Sequence, residues 1–302
     1  MSLLSLLDVP APAKLNLFLH IVGRRPDGYH LLQSLFVMID WCDTLHFELR
    51  SDGQLARHDL AEPLPADDLC LRAARLLQAE SGTRAGADIS IAKHVPSGAG
   101  MGGGSSDAAS TLLALNRLWG LNWPRDRLQA LGLRLGADVP FFLGGGPAFV
   151  EGIGERLTPV AVPPMMLAVV KPVAGIETRA IFHSPLLVRN TEAVILEGLL
   201  ATSFSGVDNF GRNDLQHAAV ALCPEVGDAV KWLQGHFGNG RMTGSGSAVF
   251  ARVANKNDGS GLHPIDAEIP ADLPATWVAR ICRSLEHHPL AGWADSAQGC
   301  KV

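Results

Sequence analysis

The sequence predicts an α+β protein of two domains. Three observations support this: a strand-rich N-terminal third, a glycine-rich turn that runs directly into an alanine- and leucine-rich helix, and a buried strand that follows a second glycine cluster. A chain of 302 residues suits one or two domains. We expect two, residues 1–162 and 163–302, with the boundary near Pro163, where Pro163-Pro164 precede the buried strand.

Composition and charge exclude several classes of protein. Hydrophobic residues make up 47% of the chain and charged residues 18%, which is typical of globular enzymes. The net charge of -5 gives no overall basic field, so we expect no nucleic-acid or membrane partner. Five scattered cysteines without metal-binding spacing fit free thiols, and neither a signal peptide nor a membrane-spanning apolar run is predicted. These features favour a cytoplasmic protein and leave its oligomeric state open.

Alternating residues predict the first strand. Between Ala13 and Ile21 the leucines fall on one face, and the polar side chains of Lys14 and Asn16 fall on the other. A turn around Pro26-Asp27-Gly28 follows, and then two apolar runs, 31–39 and 44–49, predict further strands. Both polar residues of the first strand could therefore face a cleft.

The stretch from Val95 to Ala109 predicts a phosphate cradle. Five glycines allow backbone amides to point inward, and Ser105-Ser106-Asp107 could cap the helix that follows. A Walker loop is excluded because no lysine follows the last glycine. The dinucleotide spacing is met from Gly98 to Gly103, but no acidic residue follows about twenty positions later. A flexible linker would continue into more polar sequence.

The other elements follow from periodicity and turn residues. Helices are expected from Asp67 to Leu77 and from Pro124 to Leu135, with a structured turn over 136–143. The second half is expected to hold a buried strand over 165–170, helices that begin near Asn213 and Glu225, and a strand that ends at Phe250. A loop is expected over 255–261.

Three separated segments resemble the galactokinase, homoserine kinase, mevalonate kinase and phosphomevalonate kinase superfamily, the GHMP kinases. They are 12–16, 96–107 and 242–247. The central segment is similar to the signature Pro-x-x-x-Gly-Leu-Gly-Ser-Ser, with Met101 in place of leucine and Gly103-Gly104 before the serines. Segments 11–19, 23–30, 136–141 and 213–215 resemble the branch whose acceptor is a cytidine-diphosphate-linked methylerythritol.

The resemblance implies a small-molecule kinase. It implies ATP-dependent phosphorylation of the tertiary 2-hydroxyl of the acceptor, in the non-mevalonate isoprenoid pathway. The active site would lie in a cleft between an N-terminal ATP-binding domain, 1–162, and a C-terminal GHMP kinase domain, 163–302. Magnesium is expected with ATP, and the sequence assigns no metal ligands.

By the same resemblance, Asp138 would accept or orient the hydroxyl proton, and Lys14 would keep that carboxylate ionised. Ser105, Ser106 and Asp107 could contact the β- and γ-phosphates or the metal. The expected ATP-binding residues are Pro96, Gly98, Gly100, Gly102, Gly103, Gly104, Ser105 and Ser106. The expected substrate-binding residues are Asn16, Tyr29, His30, Thr178 and Phe182, with the two aromatic rings stacking on the base.

Several alternatives stay open. Lys14 and Asp138 could form an ordinary structural ion pair, Tyr29 a surface contact and Phe182 part of the core. Other classes that fit the cradle are another kinase of the superfamily, a nucleotide-binding protein without catalysis, and a dinucleotide-dependent oxidoreductase.

Overall fold

A computed structural model describes residues 3–196, 211–253 and 268–294 of the chain. These residues form one ten-stranded sheet and seven α-helices. The strands are β1 Ser5–Arg24, β2 His30–Arg50, β3 Leu55–Asp59, β4 Gly86–Ala92, β5 Ala148–Gly152, β6 Arg156–Pro159, β7 Met166–Lys171, β8 Arg241–Met242, β9 Val249–Val253 and β10 Val278–Leu285. The helices are α1 Leu69–Ser81, α2 Gly103–Leu118, α3 Arg125–Leu133, α4 Val139–Gly144, α5 Thr178–His183, α6 Gln216–Leu222 and α7 Pro224–Phe237, and a 3-10 helix spans Ala291–Trp293.

Strand β2 organises the sheet, because it pairs antiparallel with β1, β4, β5 and β10. We predicted two separate strands here, whereas β2 continues through residues 40–43. The acidic side chains in this stretch are satisfied from neighbouring segments: Asp40 accepts a hydrogen bond from the Arg283 amide, and Asp43 accepts from the His94 and Val95 amides. The polar interruption in the sequence is therefore not an interruption of the strand.

Strand β10 joins the two halves of the molecule. It pairs with β2 at one end and with β7 along its length, and β7 continues to β9 and β8. Among the described strands only β3 and β4 pair in parallel. This antiparallel arrangement with helices confirms the α+β prediction and does not fit the parallel sheet of a dinucleotide-binding fold. The domain boundary near Pro163 stays a prediction; it falls between β6 and β7.

Three hydrophobic cores are present. The first lies between helices α1 to α4 and strands β1, β2, β4 and β5, and the third surrounds β7, β9, α6 and α7. The middle core is shared by both halves and includes Val95, Ala99 and Met101 of the glycine-rich turn. Burial of these three apolar side chains anchors the turn against the sheet.

Two local predictions about helix boundaries are wrong. Helix α2 begins at Gly103 with Gly102 as its N-cap, at φ 70°, and no side chain caps it, so Ser105, Ser106 and Asp107 lie within the helix instead. The stretch predicted as a turn over 136–143 contains helix α4. The helix expected from Asp67 is present as α1, which begins at Leu69; Asp68 is its N-cap, and the Asp68 carboxylate accepts from the Leu71 amide at 3.1 Å. The loop expected over 255–261 lies outside the described residues.

No helix in the described ranges is both long and apolar enough to cross a membrane.

Candidate active site

The glycine-rich turn forms one wall of a cleft of 260 Å³ at the start of α2. Gly98, Gly100 and Gly102 have φ values of 61°, 72° and 70°, a backbone conformation that side chains with a Cβ disfavour. The cleft is lined by residues on both sides of the turn. From the expected ATP-binding set, the lining includes Pro96, Gly98, Gly100, Gly102, Gly103 and Gly104.

Ser105 and Ser106 do not line this cleft. Ser106 is fully buried, and its hydroxyl has no hydrogen-bond partner among the described residues, while Ser105 is half-buried. Both serines lie in the first turn of α2, immediately behind the glycines. Their assignment as phosphate ligands therefore stays a prediction, and Ser106 would have to become accessible to act in this way.

The third glycine motif packs directly on the cradle. A Cβ on Gly100 would lie 2.5 Å from the Thr243 carbonyl oxygen, and one on Gly244 would lie 2.6 Å from the Gly100 carbonyl oxygen. Real Cβ atoms do not approach so closely, so glycine is required at both positions. The Ala248 amide also donates to the Ala99 carbonyl at 3.1 Å. The glycine-rich turn and the segment that contains Gly244, more than a hundred residues apart in the sequence, thus pack together beside the cleft.

Lys14 and Asp138 meet beside the cradle. The Lys14 backbone amide donates to the Met101 carbonyl at 2.9 Å, and its Nζ lies 3.7 Å from Asp138 Oδ2. The lysine side chain is buried, whereas the Asp138 side chain is 32% exposed. Asp138 is the residue immediately before α4. The predicted pair is therefore formed, with its carboxylate accessible and its ammonium enclosed.

The buried ammonium of Lys14 is held by three groups. It donates to Asn16 Oδ1 at 2.6 Å and lies 4.5 Å from the centre of the Phe36 ring, in addition to the Asp138 contact. Burial lowers the pKa of Lys14, and the charge of Asp138 opposes that shift. These partners compensate the cost of enclosing a cation.

Asn16 is buried, and its polar atoms are occupied. Besides accepting from Lys14, its Nδ2 donates to Ser34 Oγ at 2.9 Å, and its backbone amide donates to Thr243 Oγ1 at 2.9 Å. The structure therefore places Asn16 as a support for Lys14 and the Thr243 turn. Its assignment as a substrate ligand stays a prediction without support from these contacts.

A second cavity, of 790 Å³, brings together the other predicted substrate residues. Tyr29, His30, Thr178 and Phe182 all line it. The His30 and Phe182 rings stack with their centres 5.1 Å apart. Phe182 is half-buried and also packs against the third core, whereas Tyr29 is 61% exposed. Thr178 Oγ1 lies 2.7 Å from Ser245 Oγ, which links this cavity to the Gly244 turn and so to the cradle.

The sequence analysis missed an ion cluster under the cradle. Lys93, which lines the cleft, forms ion pairs with Asp43 and with Asp107, the latter at 2.5 Å. Asp43 also accepts from the His94 and Val95 amides at 2.6 and 2.7 Å. The sequence does show a lysine, Lys93, three positions before Pro96. Its two carboxylate partners lie too far from it along the chain for a local pattern to indicate the cluster.

Asp107 is poorly suited to carry a negative charge. Its pKa is raised to about 8, chiefly because the side chain is buried and also because the nearby charge of Asp43 disfavours a second negative charge, while Lys93 opposes the shift. Its Oδ1 is buried without a hydrogen-bond partner among the described residues. Nor do three or more His, Cys, Asp or Glu side chains come together anywhere in those residues in an arrangement that could hold a metal ion.

A phosphate-sized cradle beside a lysine–aspartate pair, with a second cavity linked to it, defines a candidate phosphotransferase site. Comparison with known proteins agrees. Residues 68–146 match the sequence model of the GHMP kinases N terminal domain, and residues 195–262 match that of the GHMP kinases C terminal domain.

Relatives and solved structures extend the match to almost the whole chain. A 4-diphosphocytidyl-2-C-methyl-D-erythritol kinase from Methylibium petroleiphilum is 63% identical over 295 residues, covering 97% of this chain and all of that protein. One from a Polaromonas species is 58% identical and covers 95% of this chain and 93% of the relative. The chain belongs to the GHMP kinase family of small-molecule kinases.

Two solved structures share the fold. The crystal structure of a 4-(cytidine 5'-diphospho)-2C-methyl-D-erythritol kinase is 36% identical, with a TM-score of 0.70 over 82% of this chain and 90% of its own. The mevalonate kinase of Methanococcus jannaschii is 15% identical, with a TM-score of 0.65 over 94% of this chain and 99% of its own, and shows the fold alone.

Proposed function

We propose that this chain transfers the γ-phosphate of ATP to the 2-hydroxyl of 4-diphosphocytidyl-2-C-methyl-D-erythritol, a step of the non-mevalonate isoprenoid pathway. The observation that carries the proposal is the linkage of two cavities by the Thr243–Ser245 turn, which contacts Gly100 of the cradle on one side and Thr178 of the second cavity on the other. The relatives named for this activity support the choice of acceptor.

The cradle would hold the triphosphate. Its glycines and the first turn of α2 offer backbone amides and the positive end of the helix to an anion. Mg²⁺ would arrive with ATP, whose phosphate oxygens are ligands that this cation prefers. The metal would neutralise charge on the transferring group.

Asp138 would accept the proton of the attacking hydroxyl. The hydroxyl oxygen forms a bond to the γ-phosphorus, the bond from that phosphorus to the β,γ-bridging oxygen breaks, and ADP leaves with the electron pair. Asp138 suits this role because its carboxylate is partly accessible, with 32% of the side chain exposed beside the Lys14 ammonium. Lys14, held by Asn16, would keep Asp138 ionised and offset developing negative charge.

The second cavity would hold the cytidine end of the acceptor. Tyr29 and Phe182 offer ring faces for stacking, and His30 offers a polar edge. A mevalonate or homoserine kinase would share the cradle but would have no use for this base-binding cavity.

The test is an acceptor-dependent kinase assay. The enzyme is incubated with magnesium ATP and, in separate reactions, with the cytidine-diphosphate acceptor, mevalonate and homoserine, while ADP and phosphorylated product are measured. The proposal expects ADP formation coupled one to one to product with the cytidine-diphosphate acceptor only. Equal ADP formation with and without acceptor, or preference for mevalonate or homoserine, would overturn it.

A further inference from the structure

Arg189 contacts two residues that line the second cavity, His30 and Phe182. Its guanidinium donates to three carbonyl oxygens of the segment around the end of α5, those of Phe182, Ser184 and Leu187, at 3.0 to 3.2 Å. The remaining contact runs from Arg189 Nε to His30 Nε2, at 3.2 Å. The carbonyls fix the planar guanidinium, so its Nε–H points at one particular atom of the imidazole ring.

This contact determines the protonation pattern of His30. A guanidinium only donates hydrogen bonds, so Nε2 must be the acceptor and cannot carry a hydrogen in the neutral ring. The hydrogen of the neutral imidazole is then on Nδ1. In the part of the chain that the structure describes, Nδ1 has no hydrogen-bond partner, and His30 lines the cavity. The ring therefore has one hydrogen-bond donor available for a ligand.

The surroundings also keep this ring neutral. Burial lowers the pKa of His30, and the positive charges of Arg189, Arg24 and His183 lower it further. Asp27, in the adjoining turn, is the acidic residue of the cavity lining, and it is paired with Arg25 at 2.6 Å. The charged groups around His30 therefore disfavour the imidazolium form.

We infer that Arg189 is a positioning residue for acceptor recognition: it fixes the His30 tautomer so that Nδ1–H is presented as a donor to the base of the acceptor. This inference rests on the proposed function and deepens it. Cytosine offers an acceptor at N3, whereas N3 of uracil carries a hydrogen. A fixed donor at this place therefore favours a cytidine over a uridine diphosphate and gives Arg189 a part in substrate choice without direct contact with the reacting atoms.

The tautomer is measured directly by ¹⁵N NMR of the histidine rings in the full-length protein without ligand. The spectrum of His30→Gln identifies the His30 signals by their loss. In the unmodified protein we expect the neutral Nδ1–H tautomer, and in Arg189→Met a mixture of tautomers. A predominant Nε2–H tautomer in the unmodified protein would overturn the inference, whatever the kinetics show. The NMR measurement needs no substrate, so its result is independent of the proposed function.

A second experiment compares the steady-state kinetics of Arg189→Met and Arg189→Lys with those of the control variant Arg134→Met. Arg134 is exposed and pairs with the exposed Glu80 at 2.5 Å, so Arg134→Met is a control for the loss of one arginine elsewhere on the surface. We expect the KM for the cytidine-diphosphate acceptor to rise about tenfold in Arg189→Met with little change in kcat, a smaller rise in Arg189→Lys, and none in Arg134→Met. Preference for the cytidine over the uridine acceptor should fall in parallel.

The pH dependence separates positioning from a merely structural role. When Arg189 is replaced, protonation of His30 becomes easier, and the imidazolium donates from both nitrogens, so Nδ1–H is restored. The KM of Arg189→Met should therefore recover as pH is lowered from about 8 to 6, while that of the unmodified enzyme stays flat. Full activity of Arg189→Met with unchanged KM and base preference would overturn the inference. Absence of turnover in the unmodified enzyme would instead overturn the proposed function.

Discussion

Lys14 Nζ lies 3.7 Å from Asp138 Oδ2 but only 2.6 Å from Asn16 Oδ1. The shorter contact of the ammonium is with the amide oxygen, while the Asp138 carboxylate lies farther away and is 32% exposed. The carboxylate is therefore accessible to a substrate hydroxyl, as the proposed role of Asp138 requires. This arrangement leads to the first prediction.

Replacing Lys14 with methionine should damage catalysis more than folding. The variant removes a buried cation, and its partner Asp138 stays partly solvated, so we expect a change in the free energy of unfolding of no more than about 1 kcal/mol. The value of kcat should fall by about 10²- to 10³-fold because charge stabilisation in the transition state is lost. Denaturant unfolding and steady-state kinetics on the same preparation measure both. A large loss of stability with kcat preserved would contradict the assignment.

Replacing Gly98 and Gly100 of the cradle with alanine should lower the free energy of unfolding by different amounts. Gly98 and Gly100 both have positive φ, but a Cβ on Gly98 meets nothing within 4 Å, whereas one on Gly100 meets the Thr243 carbonyl oxygen at 2.5 Å. Gly98→Ala should cost about 1 kcal/mol of backbone strain. Gly100→Ala should cost at least twice as much and raise the KM for ATP, because the two glycine segments must separate. Equal melting temperatures for the two variants would show that the close approach is unimportant.

The Asp107 side chain should make stability depend on pH. Its pKa is raised to about 8 in the folded protein from an ordinary value of 3.8. The folded state therefore holds this proton more tightly than the unfolded state, and the contribution to stability is full below about pH 4 and is lost as pH rises towards 8. The free energy of unfolding of Asp107→Asn should lack this pH-dependent contribution, because asparagine does not titrate.

The measurement is urea unfolding of the unmodified protein and Asp107→Asn at several pH values between about 5 and 8.5. The difference in free energy of unfolding between the two proteins should shift in favour of the asparagine variant as pH rises. A difference that stays constant over this range would contradict the prediction and would mean that Lys93 keeps Asp107 ionised throughout.

The sequence allowed prediction of the parts of the site that are local. A run of glycines before a helix and a strand with polar residues on one face are short-range patterns, so the cradle, the Lys14 strand and the Tyr29-His30 turn could be located from residue order alone. The structure brings these segments together with Asp138, Thr178 and Phe182 as expected.

The missing parts depend on contacts between distant segments. Nothing local indicates that Asp43 holds Lys93, or that Arg189 reaches His30, because each contact joins residues separated by 50 or 159 positions. The cap of α2 was misplaced for a different reason. Serine and aspartate are favoured caps, but Gly102 already adopts the left-handed conformation that starts the helix, and Asp107 is instead drawn into the ion cluster with Lys93.

The proposed role of Asp138 as the acceptor of the hydroxyl proton is tested most directly by comparing Asp138→Asn with Asp228→Asn. Asp228 is exposed on α7 and pairs with Lys231 at 3.8 Å, so it controls for the loss of a carboxylate elsewhere. With magnesium ATP and the cytidine-diphosphate acceptor, Asp138→Asn should lower kcat by about 10²- to 10⁴-fold with little change in either KM, while Asp228→Asn should match the unmodified enzyme. Full turnover by Asp138→Asn would contradict the account.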